Sequence, residues 1–442
     1  MHDRIKLVYS WIGPRGPVWN TELPNILNFA NVADGVEKLN TTRFWADDAQ
    51  MFFDSRSLSS DYETYPVCSI TDDDRRHFLL PFTLTWRIPF ERYFSGNEGI
   101  LEFSHVPHHI INLIKRKNGF IMINHSIEAF MNPGYIDVLH SYFDKVHHIP
   151  LYKIIYLTGC INATELYEEY CNTRNIPNDP AHRLSVVTFA TSFNSFKENT
   201  KLEEDMPPYD TETVPPKLFL MWNRRIRGHR VEMAVNLERY NVVERSLISF
   251  SDVDADMPGN SVVPRFDYPR LGGVFGIEPH IVDRFVNRLP LILDGANDVT
   301  EMCQDYGNPT RHFYQQSLIS IITETNYYDR EVSLTEKSFK PTKEKHPFII
   351  VGVNGALKGM RDLGFRTFGE FWDESYDDIE DPGERMRKLM DIVGQISTWT
   401  PEQIVDFRRR VKPILDHNYE VIRNASPTRS IEKITNIIRG QQ

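Results

Sequence analysis

Thr335-Glu336-Lys337 stands ahead of an apolar run, Phe348-Ile349-Ile350-Val351, that ends at Gly352. A carboxylate beside an ammonium at a helix start suits a nucleotide-sugar donor. The helix N-terminus and the Lys337 charge would stabilise an anionic diphosphate, while Glu336 would accept two hydrogen bonds from ribose hydroxyls. An apolar run closed by glycine is the pattern of a buried parallel strand leading into a ligand-facing loop.

A second stretch fits the same chemistry. Asn223-Arg224-Arg225-Ile226-Arg227-Gly228-His229-Arg230 directly follows an apolar strand, Lys217 to Trp222, and carries four arginines in seven positions. That is where open α/β sheets bind anions, and a guanidinium forks onto phosphate oxygens. The expectation is that this loop and Glu336-Lys337 share one sheet edge.

The elements that must position these residues alternate. In the first half the periodicity predicts strands at Lys6–Ile12, Phe78–Trp86, Phe120–Asn124, Lys153–Leu157 and Leu184–Ala190, with helices at Trp19–Ala30, His108–Lys117, Gly134–His147 and Thr164–Asn172. Residues 35–105 otherwise give no order of elements. A polar, proline-bearing interval, Asn194–Pro216, reads as a linker. Strands at Lys217–Trp222, Arg245–Phe250 and Phe348–Val351 follow, with helices at Arg227–Tyr240, Ile281–Asn287 and Leu357–Leu363. Phe313–Thr323 runs from helix into strand, and residues 383–437 are helical with a break at Ser397–Pro401. The expected fold is α/β with two Rossmann-like, doubly wound domains, at 1–205 and 206–382, and C-terminal helices at 383–442 packing across both.

Composition bounds the partners. The chain has 442 residues, 40% of them hydrophobic, enough for substantial cores, and no apolar stretch approaches the roughly 20 residues of a membrane span. No secretory signal precedes it, so a cytoplasmic location is expected. A net charge of -11 argues against a generally basic surface tracking nucleic-acid phosphates. Cys68, Cys160, Cys171 and Cys303 are scattered without a CxxC pair and read as reduced thiols. No Gly-x-Ser-x-Gly elbow, Walker loop or His-Glu-x-x-His helix is present, which removes the common hydrolase and NTPase classes.

Three features compete with the donor reading. Asp252-Val253-Asp254-Ala255-Asp256 has the spacing of a metal-binding Asp-x-Asp, but it runs into a turn at Met257–Asn260, so no metal is expected. Gly272-Gly273-Val274-Phe275-Gly276 lacks dinucleotide-fingerprint spacing. The acidic run Glu370–Glu384, with eight carboxylates, reads as a solvated loop before a helix.

Residues Lys217 to Asp377 resemble the C-terminal half of the fucosyltransferase-like, GT-B type glycosyltransferases, with the bacterial and viral members as the nearer comparison. The matching stretches are LFLMWNRRIRGHR, SLISIITETNYYD, SLTEKSFKP and HPFIIVG. The resemblance implies that Glu336 contacts the donor ribose and Lys337 the diphosphate. It implies that Arg224, Arg225 or Arg227, after Asn223, assists the diphosphate, and that Glu324 lines the donor pocket. It favours a GDP-sugar over a UDP-sugar, with no further cofactor. Lys340-Pro341-Thr342-Lys343-Glu344-Lys345 departs from the family's small apolar run, which leaves the sugar undetermined.

Inverting transfer also needs a base for the acceptor hydroxyl. In the resembled family this is a glutamate just after a first-domain strand, and the comparable place here is Phe120–Glu128, with Glu128 the first choice and His125 the second. The expected acceptor is a saccharide or glycoconjugate. Alternatives are a viral glycosyltransferase acting on hydroxymethylpyrimidine bases of DNA, for which Lys115-Arg116-Lys117 is the compact basic cluster of the first half, and a non-catalytic binding protein on the same fold.

Overall fold

The computed structural model describes residues 5–9, 12–13, 16–17, 62–66, 73, 75–83, 108–116, 118–126, 129–194, 207–223, 226–251, 277–293 and 311–440. The chain divides into two units: one is residues 1–195 with 426–442, the other residues 196–425.

The first unit holds a six-stranded, all-parallel sheet of β1 (Ile5–Tyr9), β2 (Tyr62–Pro66), β3 (Phe78–Thr83), β4 (Gly119–His125), β5 (Ile154–Thr158) and β6 (Ser185–Thr188), in the order β2-β1-β3-β4-β5-β6. Strands covered on both faces need apolar residues throughout, and β4 and β5 are buried at every position. Alternate residues divide between two cores. Ile121 and Ile123 meet Ile110 and Ile114 of α1 (His108–Arg116), Tyr135 and Ile136 of α2 (Pro133–His140), and Tyr167 and Tyr170 of α3 (Ala163–Thr173). Phe120 and Met122 face the other way.

The second unit repeats the plan with four strands. β7 (Lys217–Trp222), β8 (Ser246–Ser249), β9 (Ser317–Thr323) and β10 (Phe348–Val351) form a parallel sheet in the order β8-β7-β9-β10. Its longer helices are α4 (Gly228–Arg239), α5 (Pro279–Val286), α6 (Glu336–Lys343), α7 (Ala356–Asp362), α8 (Pro382–Ser397) and α9 (Pro401–Arg423). Helix α4 is buried from His229 to Glu238, with α5 and α8 packed on it. Thr400 and Gln403 cap α9 reciprocally.

Both units are Rossmann-like, as the alternation predicts. In each sheet the first and third strands in sequence lie side by side, so consecutive connections leave in opposite directions there, and a crevice opens at their carboxyl ends. In the second unit those strands are β7 and β9, ending at Trp222 and Thr323.

The residues after 382 do not act as one block. Helices α8 and α9 belong to the second unit, and α10 (Thr428–Arg439) belongs to the first, where Ile431, Ile434, Ile437 and Ile438 join Ile5, Leu79, Phe120, Met122, Ile155, Leu157, Val187 and Phe189 in the second core. The solvated-loop reading of Glu370–Glu384 holds for most of the run and fails at Glu374 and Asp377. Asp377 is 3% exposed, Glu374 accepts hydrogen bonds from the Phe368 amide at 2.7 Å and the Thr367 hydroxyl at 2.7 Å, and Asp381 caps α8 by accepting from the Glu384 amide at 2.7 Å. Glu370, Asp373, Asp378, Glu380, Asp381 and Glu384 are exposed, so only Glu374 and Asp377 are drawn inward.

Among the described residues no helix is long and apolar enough to cross a membrane, and no group of His, Cys, Asp or Glu side chains is placed to hold a metal. Cys160 and Cys171 are buried and form no disulfide with each other. The expected helix Trp19–Ala30, the Asp252–Asp256 run and the glycines at 272–276 lie outside the described residues.

Candidate functional site at the carboxyl edge of the second sheet

Asn223 is the first residue beyond β7 and is 4% exposed. Its amide proton donates to the Ser249 carbonyl at 2.9 Å, tying β7 to β8. Its side-chain oxygen accepts from the Thr323 hydroxyl across the switch point. The side-chain nitrogen Nδ2 is buried without a partner among the described residues.

The loop from Asn223 delivers the chain to α4. Arg227 is the N-cap residue in extended conformation, its own side chain does not cap the helix, and no other side chain does so among the described residues. The first turn therefore keeps amide protons that anion binding could satisfy. Arg227 is half-buried, and its Nε has no partner among the described residues. Arg224 and Arg225 lie outside the described residues.

Glu324 draws the other half of the site to the same place. It follows β9 and is 1% exposed. Its carboxylate accepts from the Thr325 amide at 3.1 Å, the Thr335 amide at 3.0 Å, the Thr335 hydroxyl at 2.7 Å and the Ser338 hydroxyl at 2.6 Å. Four donors compensate the burial of one charge. Its carbonyl accepts from His229 Nε2 at 2.9 Å and Arg230 Nη2 at 3.3 Å. One residue thus joins the start of α4 to the start of α6. Sequence reasoning assigned Glu324 to the pocket wall, whereas its carboxylate is spent on the Thr335–Ser338 turn, so it acts by positioning.

Helix α6 begins at Glu336, as the Thr-Glu-Lys spacing predicts, with Thr335 as N-cap accepting from the Lys337 amide at 3.4 Å. Lys337 Nζ donates to Thr335 Oγ1 at 3.1 Å and to Glu336 Oε1 at 3.0 Å, and both side chains remain about 30% exposed (29% and 30%). Burial pushes the Glu336 carboxyl up, but Lys337, Lys340 and hydrogen bonds outweigh it and hold the group below its usual value. An ionised acceptor and an ammonium are both open to a ligand.

The floor of the site is rigid. His229 is 2% exposed and stacks on Tyr327, with ring centroids 5.1 Å apart and planes at 11°. Burial, with the charges of Arg230, Arg227 and Arg385, lowers its pKa to about 3, against a smaller opposing effect from the Glu324 carbonyl. The ring is neutral, and Nε2 carries the proton, because its partner is a carbonyl. Arg385, 1% exposed, lies 4.5 Å from the Tyr327 ring and donates to the carbonyls of Gly352, Ile379, Glu380 and Tyr327 at 3.1, 2.6, 3.1 and 2.5 Å. Glu232, on α4, is 2% exposed, and burial raises its carboxyl to about 9.

Of the two base candidates, Glu128 lies outside the described residues. His125, at the end of β4, is 0% exposed among Phe130, Tyr135 and Tyr156, with Nδ1 3.3 Å from the Tyr156 hydroxyl. In this arrangement the ring is a core histidine with no face open to a substrate.

No protein-family model matches the chain, and no curated protein matches it in sequence. Solved structures similar to it include the N-terminal domain of Candida albicans trehalose-6-phosphate phosphatase, with a TM-score of 0.45 and 10% identity over 100% of this chain and 98% of that one. Another is a UDP-forming α,α-trehalose-phosphate synthase from Burkholderia vietnamiensis, with a TM-score of 0.43 and 11% identity over 90% and 80%. An α1,3-fucosyltransferase has a TM-score of 0.32 and 10% identity over 100% and 92%.

Proposed function

We propose that this protein is a GT-B type glycosyltransferase that moves a sugar from a nucleotide-sugar donor to a hydroxyl of a saccharide or glycoconjugate. The observation that carries the reading is the Glu324 junction. It sets the uncapped, arginine-bearing start of α4 beside Glu336 and Lys337 at the switch point of a parallel sheet.

In this reading the donor diphosphate lies against the first turn of α4, with Arg227 and Lys337 as countercharges and Arg224 and Arg225 as further candidates from the same loop. Ionised Glu336 accepts from the ribose hydroxyls. These cations stabilise charge on the departing nucleoside diphosphate. The acceptor oxygen attacks the anomeric carbon from the face opposite the leaving group. A first-unit base takes its proton, with the Glu128 carboxylate preferred over the His125 imidazole, which would first have to leave its aromatic surroundings. GDP is preferred to UDP on the resemblance alone.

Thermal denaturation with GDP, UDP and their sugar conjugates tests the donor, since a ligand bound only by the folded state raises Tm. One nucleoside diphosphate should raise Tm in wild type and not in Lys337→Ala. Turnover of the matching sugar nucleotide should survive EDTA. Loss of turnover on chelation, restored by manganese, would return the Asp252–Asp256 run to consideration. Tight, salt-sensitive binding to duplex DNA in a mobility-shift assay would favour the DNA-base alternative instead.

A further inference from the structure

Tyr328 is 55% exposed, the most exposed large hydrophobic side chain among the described residues, in the segment linking β9 to α6. An exposed tyrosine needs no explanation by itself. This one is held in place. Its ring packs edge-on against Tyr327, with centroids 5.1 Å apart and planes at 87°, and lies 6.1 Å from His229 at 76°. Tyr327 is itself fixed by the His229 stack, by Arg385 and by its hydroxyl donating to the Pro382 carbonyl at 2.7 Å.

The held ring carries its hydroxyl to one place. A Cβ built on Gly228 would stand 2.9 Å from the Tyr328 hydroxyl oxygen and 3.9 Å from Cζ. The phenol therefore lies over the first residue of α4, and a side chain at 228 would push it away. Helix α4 has 12 residues, and no side chain caps its start among the described residues. At the same sheet edge, Asn223 presents a buried Nδ2 with no partner among the described residues. The phenol and the first turn of α4 thus lie together, with a further unpartnered donor at the same sheet edge among the described residues.

We propose that the Tyr328 hydroxyl is a ligand of the donor's diphosphate, donating to a phosphate oxygen held at the first turn of α4, and that Gly228 is required to leave room for it. This rests on the donor-site reading above and adds to it a neutral donor from outside the arginine loop and the Thr-Glu-Lys turn. The phenol suits the role. Burial and the nearby Glu232 carboxyl hold it above its usual value, so it stays protonated beside an anion.

The experiment is calorimetric titration of the full chain with GDP, UDP, guanosine and uridine. Wild type should bind one of the diphosphates. Tyr328→Phe keeps the ring and removes one hydrogen bond to a charged group, so affinity for that diphosphate should fall about tenfold or more, while affinity for the matching nucleoside stays unchanged. Gly228→Ala should weaken the diphosphate to a similar degree. Wild-type affinity in Tyr328→Phe overturns the proposal. So does weakening only in Tyr328→Ala, which would make the ring a stacking platform. If wild type binds neither diphosphate, the donor reading itself fails and takes this inference with it.

Discussion

Helices α4 and α7 both begin at the carboxyl edge of the second sheet, and their first turns are satisfied in opposite ways. At α7 a buried carboxylate does the work. Asp377 accepts from the Leu357 and Lys358 amides, each at 2.8 Å, and its carbonyl accepts from the Gly355 amide at 2.7 Å, where the left-handed backbone (φ 81°) favours glycine. At α4 no side chain caps the helix among the described residues, and an Asn223 nitrogen without a partner among them lies at the same edge. Among the described residues, a carboxylate of the chain closes the helix start that serves stability, and none closes the start that the proposed donor would occupy.

Breaking the closed end should have the largest effect on stability. Asp377→Ala strands the buried Leu357 amide and the partly buried Lys358 amide and should cost about 2 to 3 kcal/mol, read as a lower urea midpoint, with nucleoside diphosphate affinity nearly unchanged. A matching loss of affinity would show that the two ends are not independent.

Glu324 lies between the two cases, since it is structural yet holds the open end together. Glu324→Gln replaces an acceptor of four hydrogen bonds by a group that must present donors to some of them. A loss of about 2 kcal/mol is expected, together with about a tenfold loss of diphosphate affinity. Loss of stability alone would separate the Thr335 turn from the ligand.

Glu232 gives a pH-dependent test of the interior beneath α4. Its folded pKa of about 9 lies above the ordinary carboxylate value of 4.5, so the folded state binds the proton more tightly. Its contribution is fully present below pH 4.5 and is lost as pH rises toward 9. Glu232→Gln should therefore gain about 1 kcal/mol or more over wild type at pH 8.5 and little at pH 5, followed by Tm against pH. Parallel Tm curves for the two proteins would rule out a protonated Glu232.

The smallest stability change is expected for Lys337→Ala. Its ion pair with Glu336 is partly exposed, and removing it should shift unfolding by no more than about 0.5 kcal/mol. The same variant should abolish most of the Tm rise produced by the nucleoside diphosphate. An unchanged rise would place the anion elsewhere.

Much of this edge was legible in the sequence because its signals are local. Lys217–Trp222 and Phe348–Val351 are continuous apolar runs and become strands with those bounds. Thr335-Glu336-Lys337 is a cap followed by a helix start. What escaped depends on distant partners. Glu324 meets Thr335 and Ser338 across a loop and His229 from an element about a hundred residues earlier, so only the assembled fold reveals it as a junction. Asp377 sits in an acidic run whose composition reads as solvated, while its partners are backbone amides at 357 and 358, which leave no mark on side-chain patterning. The apolar cluster around His125 was hidden in the same way, since Tyr135 and Tyr156 come from separate elements.

Helix α10 has a consequence for biosynthesis. The N-terminal unit leaves one of its two cores incomplete until Ile431, Ile434, Ile437 and Ile438 arrive, and these residues are made after the whole second unit. The usual order, in which an N-terminal domain finishes folding while the ribosome is still translating the next, cannot hold here. The nascent first sheet must wait through about 230 further codons with the apolar residues Phe120, Met122, Leu157 and Val187 uncovered on one face, an interval of tens of seconds at about 5–20 residues per second.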